Sequence, residues 1–299
     1  MHQPVLVKEV VENLKLEKGD RVIDCTFGQG GHTFAIWEKI KPNGRILAIE
    51  RDPQLVEAGL EKIKALGLED KIILKNRNFI HLKELVEEER FGQVQAVLFD
   101  LGVCAWHFEE SKRGFSFQRC EFLDMRYNPY ENEITAYEII NKRPESDLKE
   151  FFQRYGEERF AQRIARRIVE ERKLRSIENT TQLVEIIRRA VPKWYRYKRI
   201  HWATKVFQAL RIWVNQELEN LKLALPQALD VLEKNGRLVV ISYHSLEDRI
   251  VKNFLKEKSK EGLIKIITKK PIIPTHEELQ QNPRSRSAKL RVGEKIKGT

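Results

Sequence analysis

Cysteine is scarce in this 299-residue chain: Cys25, Cys104 and Cys120 are the only three, an odd number with no C-x-x-C pair. That excludes a disulfide-stapled scaffold and a cysteine-built zinc site, so no metal centre is expected and a reducing cytoplasm suits the chain. Apolar runs are short, none nearing the roughly 18 residues a membrane-spanning helix needs. The opening Met1-His2-Gln3-Pro4 lacks the apolar stretch of a secretion signal. Fifteen glycines and ten prolines are too few for a low-complexity or disordered polymer. No internal repeat is visible. Nothing in the sequence bears on oligomeric state.

Positive charge is what the chain has in excess. Lysine and arginine number 55 against 44 acids, a net +11, with a pI near 9.4. Such a balance favours a polyanionic partner, and nucleic acid is the first candidate. A membrane surface is disfavoured because neither a lipidation signal nor a long basic amphipathic anchor is present. Hydrophobic residues at 41% supply a core beneath a surface in which 33% of all residues are charged.

The first hundred residues alternate in pattern. Strand-like runs at Arg21–Cys25, Arg45–Ile49, Lys71–Leu74 and Val94–Phe99 lie between helical stretches at 5–14, 33–40, 53–66 and 80–89. Pro53 occupies a helix's first position and Gly67 its stop. Continuous apolar strands between helices imply a parallel sheet buried on both faces. From about His107 to Lys205 the alternation gives way to helical periodicity, and a long helix follows through Phe207, Leu210, Trp213 and Leu221, with Pro226 expected to kink or end it. Strand character returns at Arg237–Ser242, and 263–268 with 288–292 form a closing pair. The expected fold class is α/β: a discontinuous sheet domain, 1–107 and 206–299, interrupted by an all-helical insertion, 108–205.

The turn after the first strand, Thr26-Phe27-Gly28-Gln29-Gly30-Gly31, lies where parallel sheets bind ligands, and its glycines admit close backbone approach. A dinucleotide site shows G-x-G-x-x-G with pyrophosphate on the helix start; here the run is G-x-G-G and Asp24 ends the strand. A carboxylate repels a pyrophosphate but accepts from an ammonium. Glu50 ends the second strand, placed for a ribose diol, and Asp100 ends the fourth. Three acidic strand ends suit S-adenosylmethionine, which is cationic at its amino group and its sulfonium.

Longer stretches carry a resemblance. They are His2 to Leu6, Thr26 to His32, Asp100-Leu101-Gly102-Val103, Arg113-Gly114-Phe115-Ser116-Phe117 and Leu123-Asp124-Met125-Arg126. Further on come Tyr155 to Ala161, Phe207 to Asn215, Ser242 to Arg249 and Asn282 to Ser287. In order and spacing over nearly the whole chain, this resembles the MraW/RsmH family, bacterial methyltransferases that modify the exocyclic N4 of a cytosine in the decoding region of 16S ribosomal RNA. The resemblance implies a Rossmann-like sheet binding S-adenosylmethionine, with 16S RNA and the small ribosomal subunit as partner. It places cofactor contacts on Gly30, Gly31, His32, Glu50, Phe79, Asp100 and His107. Two positions depart from the family pattern: Glu50 stands where Asp is frequent, and Val103-Cys104-Ala105-Trp106-His107 replaces a Val-Ser-Ser-Pro-Gln run.

An exocyclic amine is a weak nucleophile because its lone pair is delocalised, so N4 chemistry needs positioning and acceptors for the N–H groups. Asp100 and the Leu101 or Gly102 carbonyls are candidates, and one carboxylate serving cofactor and amine is an open alternative. His244 is a second catalytic candidate, for orienting the base or relaying a proton; against it, Ser245 and Asp248 pair as a helix cap. Phe115, Phe117, Trp106 and Tyr243 are candidate stacking faces. Cys104 invites comparison with thiolate attack on cytosine C5, but the family's common Ser there and the chemistry of N4 make the thiol incidental. For RNA, the candidates are Arg163 and Arg167, the aromatic-basic run Lys193, Trp194, Arg196, Lys198 and Arg199, and Arg284 and Arg286 near the end. The alternatives are methylation of another RNA base, DNA or a basic protein, and a non-catalytic RNA-binding assembly factor.

Overall fold

Side chains alternate across a strand, so a strand apolar at every position needs cover on both faces. The computed structural model, which describes residues 4–297, provides that cover. Its strands are β1 (Arg21–Asp24), β2 (Arg45–Glu50), β3 (Ile72–Asn76), β4 (Val94–Asp100), β5 (Leu232–Ser242), β6 (Ile264–Ile266) and β7 (Lys289–Lys295). They form one sheet in the order β3-β2-β1-β4-β5-β7-β6. The first five are parallel, and β7 runs antiparallel to both β5 and β6. Ile23, Leu47, Val97, Phe99 and Val240 enter one core with Leu82, Leu225 and Val251 of helices Leu82–Glu88, Glu217–Val231 and Ser245–Lys260. Their neighbours Val22, Ile46, Ala48, Leu98 and Val239 enter the other, with Val10, Ile36 and Ile63 of helices Val7–Leu14, Gly31–Ile40 and Pro53–Ala65. The α/β expectation therefore holds. His2 and Gln3 of the first family segment lie outside the described residues.

The chain divides into two compact units: Met1–Gly102 with Leu218–Thr299, and Val103–Glu217. The sheet belongs entirely to the first. Helix Thr204–Asn215, expected with the sheet domain, packs instead on helices Ala136–Lys142 and Glu145–Arg154 of the second unit, which moves the second boundary from 205/206 to 217/218. The first boundary falls after Gly102 rather than after 107. Among the described residues the second unit has helices and one isolated bridge, Phe122 to Asn179, and no strand.

Between Glu110 and Thr135 that unit has neither helix nor strand, and its backbone groups are met by side chains instead. The Arg113 guanidinium donates to the carbonyls of Arg126 at 2.9 Å and Tyr127 at 2.7 Å. Asn215 accepts from the Tyr127 N–H at 2.8 Å and donates to the Met125 carbonyl at 2.8 Å. Arg126 in turn grips the Asp124 carboxylate at 2.6 and 2.9 Å. Gly114, at φ +76°, passes so near the Phe122 carbonyl that a Cβ would stand 2.4 Å from its oxygen. Three of the sequence segments that carry the family resemblance are thus braces of one irregular stretch.

Two local expectations are corrected. The long helix does not break at Pro226, which sits inside helix Glu217–Val231; the break is Gln216, in the left-handed region at φ 53°. The cap of helix Ser245–Lys260 is His244 with Glu247, not Ser245 with Asp248. An imidazole Nδ1 is as good an acceptor as a hydroxyl, and the Glu247 N–H donates to it at 3.3 Å. Glu247 reaches back to the Tyr243 N–H at 2.9 Å. Asp248 is drawn away by Arg291 of β7, at 2.6 Å.

Candidate active site

Strand order reverses beside β1, with β2 and β3 on one side and β4 onward on the other, and a parallel sheet binds its ligand at such a point. The glycine turn leaves β1 there, braced in three directions. Below it, the fully buried Asp24 carboxylate accepts from the Thr33 hydroxyl at 2.6 Å and the Thr26 N–H at 3.1 Å. Toward β2, the Gly28 N–H donates to Glu50 at 2.7 Å and the Phe27 N–H to the Ile49 carbonyl at 2.9 Å. Toward β4, the Asp100 N–H donates to the Thr26 hydroxyl at 2.7 Å. Gly30 opens helix Gly31–Ile40 at φ +80°, and a Cβ on it would lie 2.5 Å from the Phe34 ring. On Gly31 a Cβ would lie 2.2 Å from Pro4. Neither position tolerates a side chain without displacing its neighbours.

Of the residues singled out from sequence, the structure gathers His32 and Asp100 at one point and adds Tyr243, which the sequence offered only as an aromatic face. The Tyr243 hydroxyl donates to Asp100 Oδ1 at 2.7 Å. His32 Nε2 stands 3.3 Å from Oδ2, short of hydrogen-bond geometry, and neither buried ring nitrogen has a hydrogen-bond partner among the described residues. Burial opposes a charge on His32, but the Asp100 and Asp24 carboxylates outweigh it and raise its pKa above the usual imidazole value. Burial, together with the Asp100 charge, pushes the Tyr243 phenol well above its ordinary range, so it remains a donor. Nothing in the sequence signals the Tyr243 to Asp100 bond, which joins residues 143 apart.

Glu50 accepts one backbone N–H on each oxygen, from Gly28 at 2.7 Å and Asp52 at 2.8 Å. Burial pushes its pKa up to about 7, against the pull of the Asp52, Gly28 and Arg51 N–H groups. Phe79 starts a single 3-10 turn, its ring edge-on to Phe99 at 5.5 Å. His244 is engaged by its capping role, with Nε2 3.2 Å from Glu247 Oε1. His107 lies in the second unit, buried against Trp106, Phe115 and Tyr127, its Nδ1 3.2 Å from Cys104 Sγ.

The basic candidates separate by partner. Arg167 is held by Glu170 at 3.4 Å and Glu171 at 3.0 Å. Arg163 is exposed, its guanidinium 5.8 Å from the Phe160 ring centre. Trp194, half exposed at 51%, lies between Arg159 at 5.4 Å and Lys198 at 5.1 Å. Lys193 and Arg199 are exposed, and Arg196 donates to the Val191 carbonyl at 3.3 Å. Arg284 and Arg286 are exposed on the 3-10 turn Pro283–Ser287 of the first unit.

The sequence profile of the MraW methylase family matches residues 1–296. The chain belongs to that family. The ribosomal RNA small subunit methyltransferase H of Sulfurihydrogenibium sp. is 43% identical over 295 residues, covering 99% of each chain. Its namesake in Heliobacterium modesticaldum is 42% identical over 312 residues, again covering 99% of each. A Streptococcus mutans protein described as a methyltransferase, crystallised in complex with SAH, matches with a TM-score of 0.50 at 15% identity, covering 99% of this chain and 100% of that one; at that identity the likeness concerns the fold alone. As a member of the family this chain is a methylase that uses S-adenosylmethionine. Among the described residues no helix is long and apolar enough to cross a membrane.

The buried Asp24 yields a test. Thr33→Val keeps the shape but removes the hydroxyl donor, leaving a buried carboxylate short of a partner. We expect a loss of about 1–3 kcal/mol in denaturant unfolding at pH 7. Burial already raises the Asp24 pKa, and losing the donor raises it further. The deficit should therefore shrink as pH falls and the carboxyl becomes neutral; an undiminished deficit in acid would contradict the assignment.

Proposed function

We propose that the chain methylates the exocyclic N4 of a cytosine in the decoding region of 16S ribosomal RNA, acting on the small ribosomal subunit. The relatives' names support the ribosomal RNA substrate, and the resemblance noted in the sequence supports the base. The observation that carries the chemistry is the Asp100 carboxylate, bound by the Tyr243 hydroxyl at 2.7 Å with His32 3.3 Å away, at the reversal of strand order.

The residues present fit the cofactor. His32 keeps two buried ring nitrogens for which a bound polar group is the natural partner. Asp100 supplies negative charge for a cation, and the Glu50 carboxylate, at the end of β2, is the acceptor placed for a ribose diol. Gly30, Gly31, His32, Glu50, Phe79 and Asp100 would hold it; His107 is in the proposed set on the family resemblance alone. When bound, S-adenosylmethionine supplies an activated methyl group on sulfur. Asp100 accepts a hydrogen bond from the target amine, drawing density onto nitrogen, and takes the proton that the nitrogen sheds on being methylated. Tyr243, kept protonated, holds one carboxylate oxygen so that the other meets the amine. His244 orients the base from its fixed place at the start of helix Ser245–Lys260.

For RNA, Trp194 supplies an exposed ring flanked by Arg159 and Lys198, the combination that suits base stacking with phosphate contact. Lys193, Arg196, Arg199 and Arg163 extend that face, and Arg284 and Arg286 add cations on the first unit. Arg167, already matched by two glutamates, contributes least.

In a deletion strain, mass analysis of 16S RNA should show N4-methylcytidine lost from the decoding region, and an unchanged level would reject the reading. Asp100→Asn should lower kcat by about 10²–10⁴-fold while RNA binding persists. Because Glu50 ionises near pH 7, cofactor affinity followed by calorimetry should rise between about pH 6 and 8. Glu50→Gln should bind less tightly and lose that rise. On the RNA side, Trp194→Ala should cost about 1–3 kcal/mol of affinity with the salt dependence kept. Lys198→Ala should reduce the slope of log affinity against log salt by about 1.

A further inference from the structure

Tyr243 has a second face. Besides holding Asp100, it lines a cavity of about 320 Å³ in the first unit, shared with His244 and Ser245 at the start of helix Ser245–Lys260 and with Pro274, Arg286 and Lys289. The volume lies at the small end of the roughly 300–1,000 Å³ typical of ligand sites, room for about one nucleotide. Its walls are of two kinds. Pro274 and the adjoining Ile273, 63% exposed, are apolar. Opposed to them chemically, Arg286 and Lys289 are cationic, whereas the helix that begins at Ser245 carries Glu247 and Asp248 in its first turn, which offset its positive end. Lys289 is 3.5 Å from Asp248, whereas Arg286 has no ion pair among the described residues. The His244 side chain is only 8% exposed, and its Nε2 has no hydrogen-bond partner among the described residues.

An apolar wall beside two cations matches a nucleotide: a ring for Pro274 and Ile273, a phosphate for Arg286 and Lys289. Asp100 is not among the lining residues, although Tyr243 touches both places. The base being methylated must reach Asp100, so a nucleotide in this cavity is not the target. We propose that the cavity binds the nucleotide adjacent to the target in the RNA strand and so sets the register of the target against Asp100. This deepens the RNA reading above and rests on it.

The test uses the full chain and a decoding-region RNA carrying 4-thiouridine on either side of the target cytosine, crosslinked by light and mapped by mass spectrometry, with N4 methylation followed in the same samples. We expect one flanking position to crosslink within residues 271–291, and excess uridine monophosphate to leave that crosslink in place. Arg286→Ala, an exposed position, should weaken the crosslink and raise KM for RNA about tenfold. Methylation with both flanking crosslinks mapping elsewhere overturns this proposal alone, and an unchanged KM in Arg286→Ala overturns it together with the RNA contact assigned to Arg286 above. Mononucleotide binding as tight as the strand's marks a free-nucleotide site and also overturns it. RNA that is bound but never methylated at N4 defeats the underlying reading instead.

Discussion

A single buried carboxylate organises the active edge of the sheet. Asp24 has no exposed surface, and burying a charge is costly unless its oxygens are met by donors. Thr33 and Thr26 meet them, and in doing so they tie the first turn of helix Gly31–Ile40 to the end of β1. Thr26 is then placed to receive the Asp100 N–H, and Gly28 to donate to Glu50. The two other acidic strand ends are therefore positioned through the turn that Asp24 holds. Asp24 itself is fully buried, a support whose loss would loosen both neighbours.

Around that support the chemistry depends on how protons are distributed among close ionisable groups. Asp24, His32, Glu50, Asp100 and Tyr243 crowd one edge, and burial and neighbouring charges move Asp24, His32, Glu50 and Tyr243 from their usual ranges. Burial keeps Tyr243 a donor, neighbouring acids raise the His32 pKa against the opposing effect of burial, and the pKa of Glu50 is brought to about 7. Such an edge is attractive to a cation and ready to accept from O–H and N–H groups.

The second unit shows why a count of basic residues is a poor guide to a nucleic-acid face. Arg166, Arg167, Arg188 and Arg189 are dense in sequence, yet each meets a glutamate one helical turn away or nearer. Arg159 and Lys198 instead lie over Trp194. Beneath them the Tyr195 hydroxyl donates to the buried Glu158 at 2.7 Å, which fixes the short helix that carries Trp194. The platform is rigid where it is buried and cationic where it is exposed.

The sequence by itself determined the sheet, because apolar runs of strand length between amphipathic helices have few ways to be covered on both faces. It also determined the glycine turn and its acidic strand ends, since Gly30 and Gly31 stand where a side chain would collide, as well as membership in the family. Tertiary structure decided the partners. That Asp100 meets Tyr243, that His244 rather than Ser245 caps its helix, that Gln216 and not Pro226 ends the long helix, and that Arg113 and Asn215 brace an irregular segment all depend on groups brought together from distant positions or on a local backbone choice between near-equal alternatives. Hydrophobic period is repeated at many positions and so is legible along the chain; a hydrogen bond between two particular side chains exists only once the fold has set their distance.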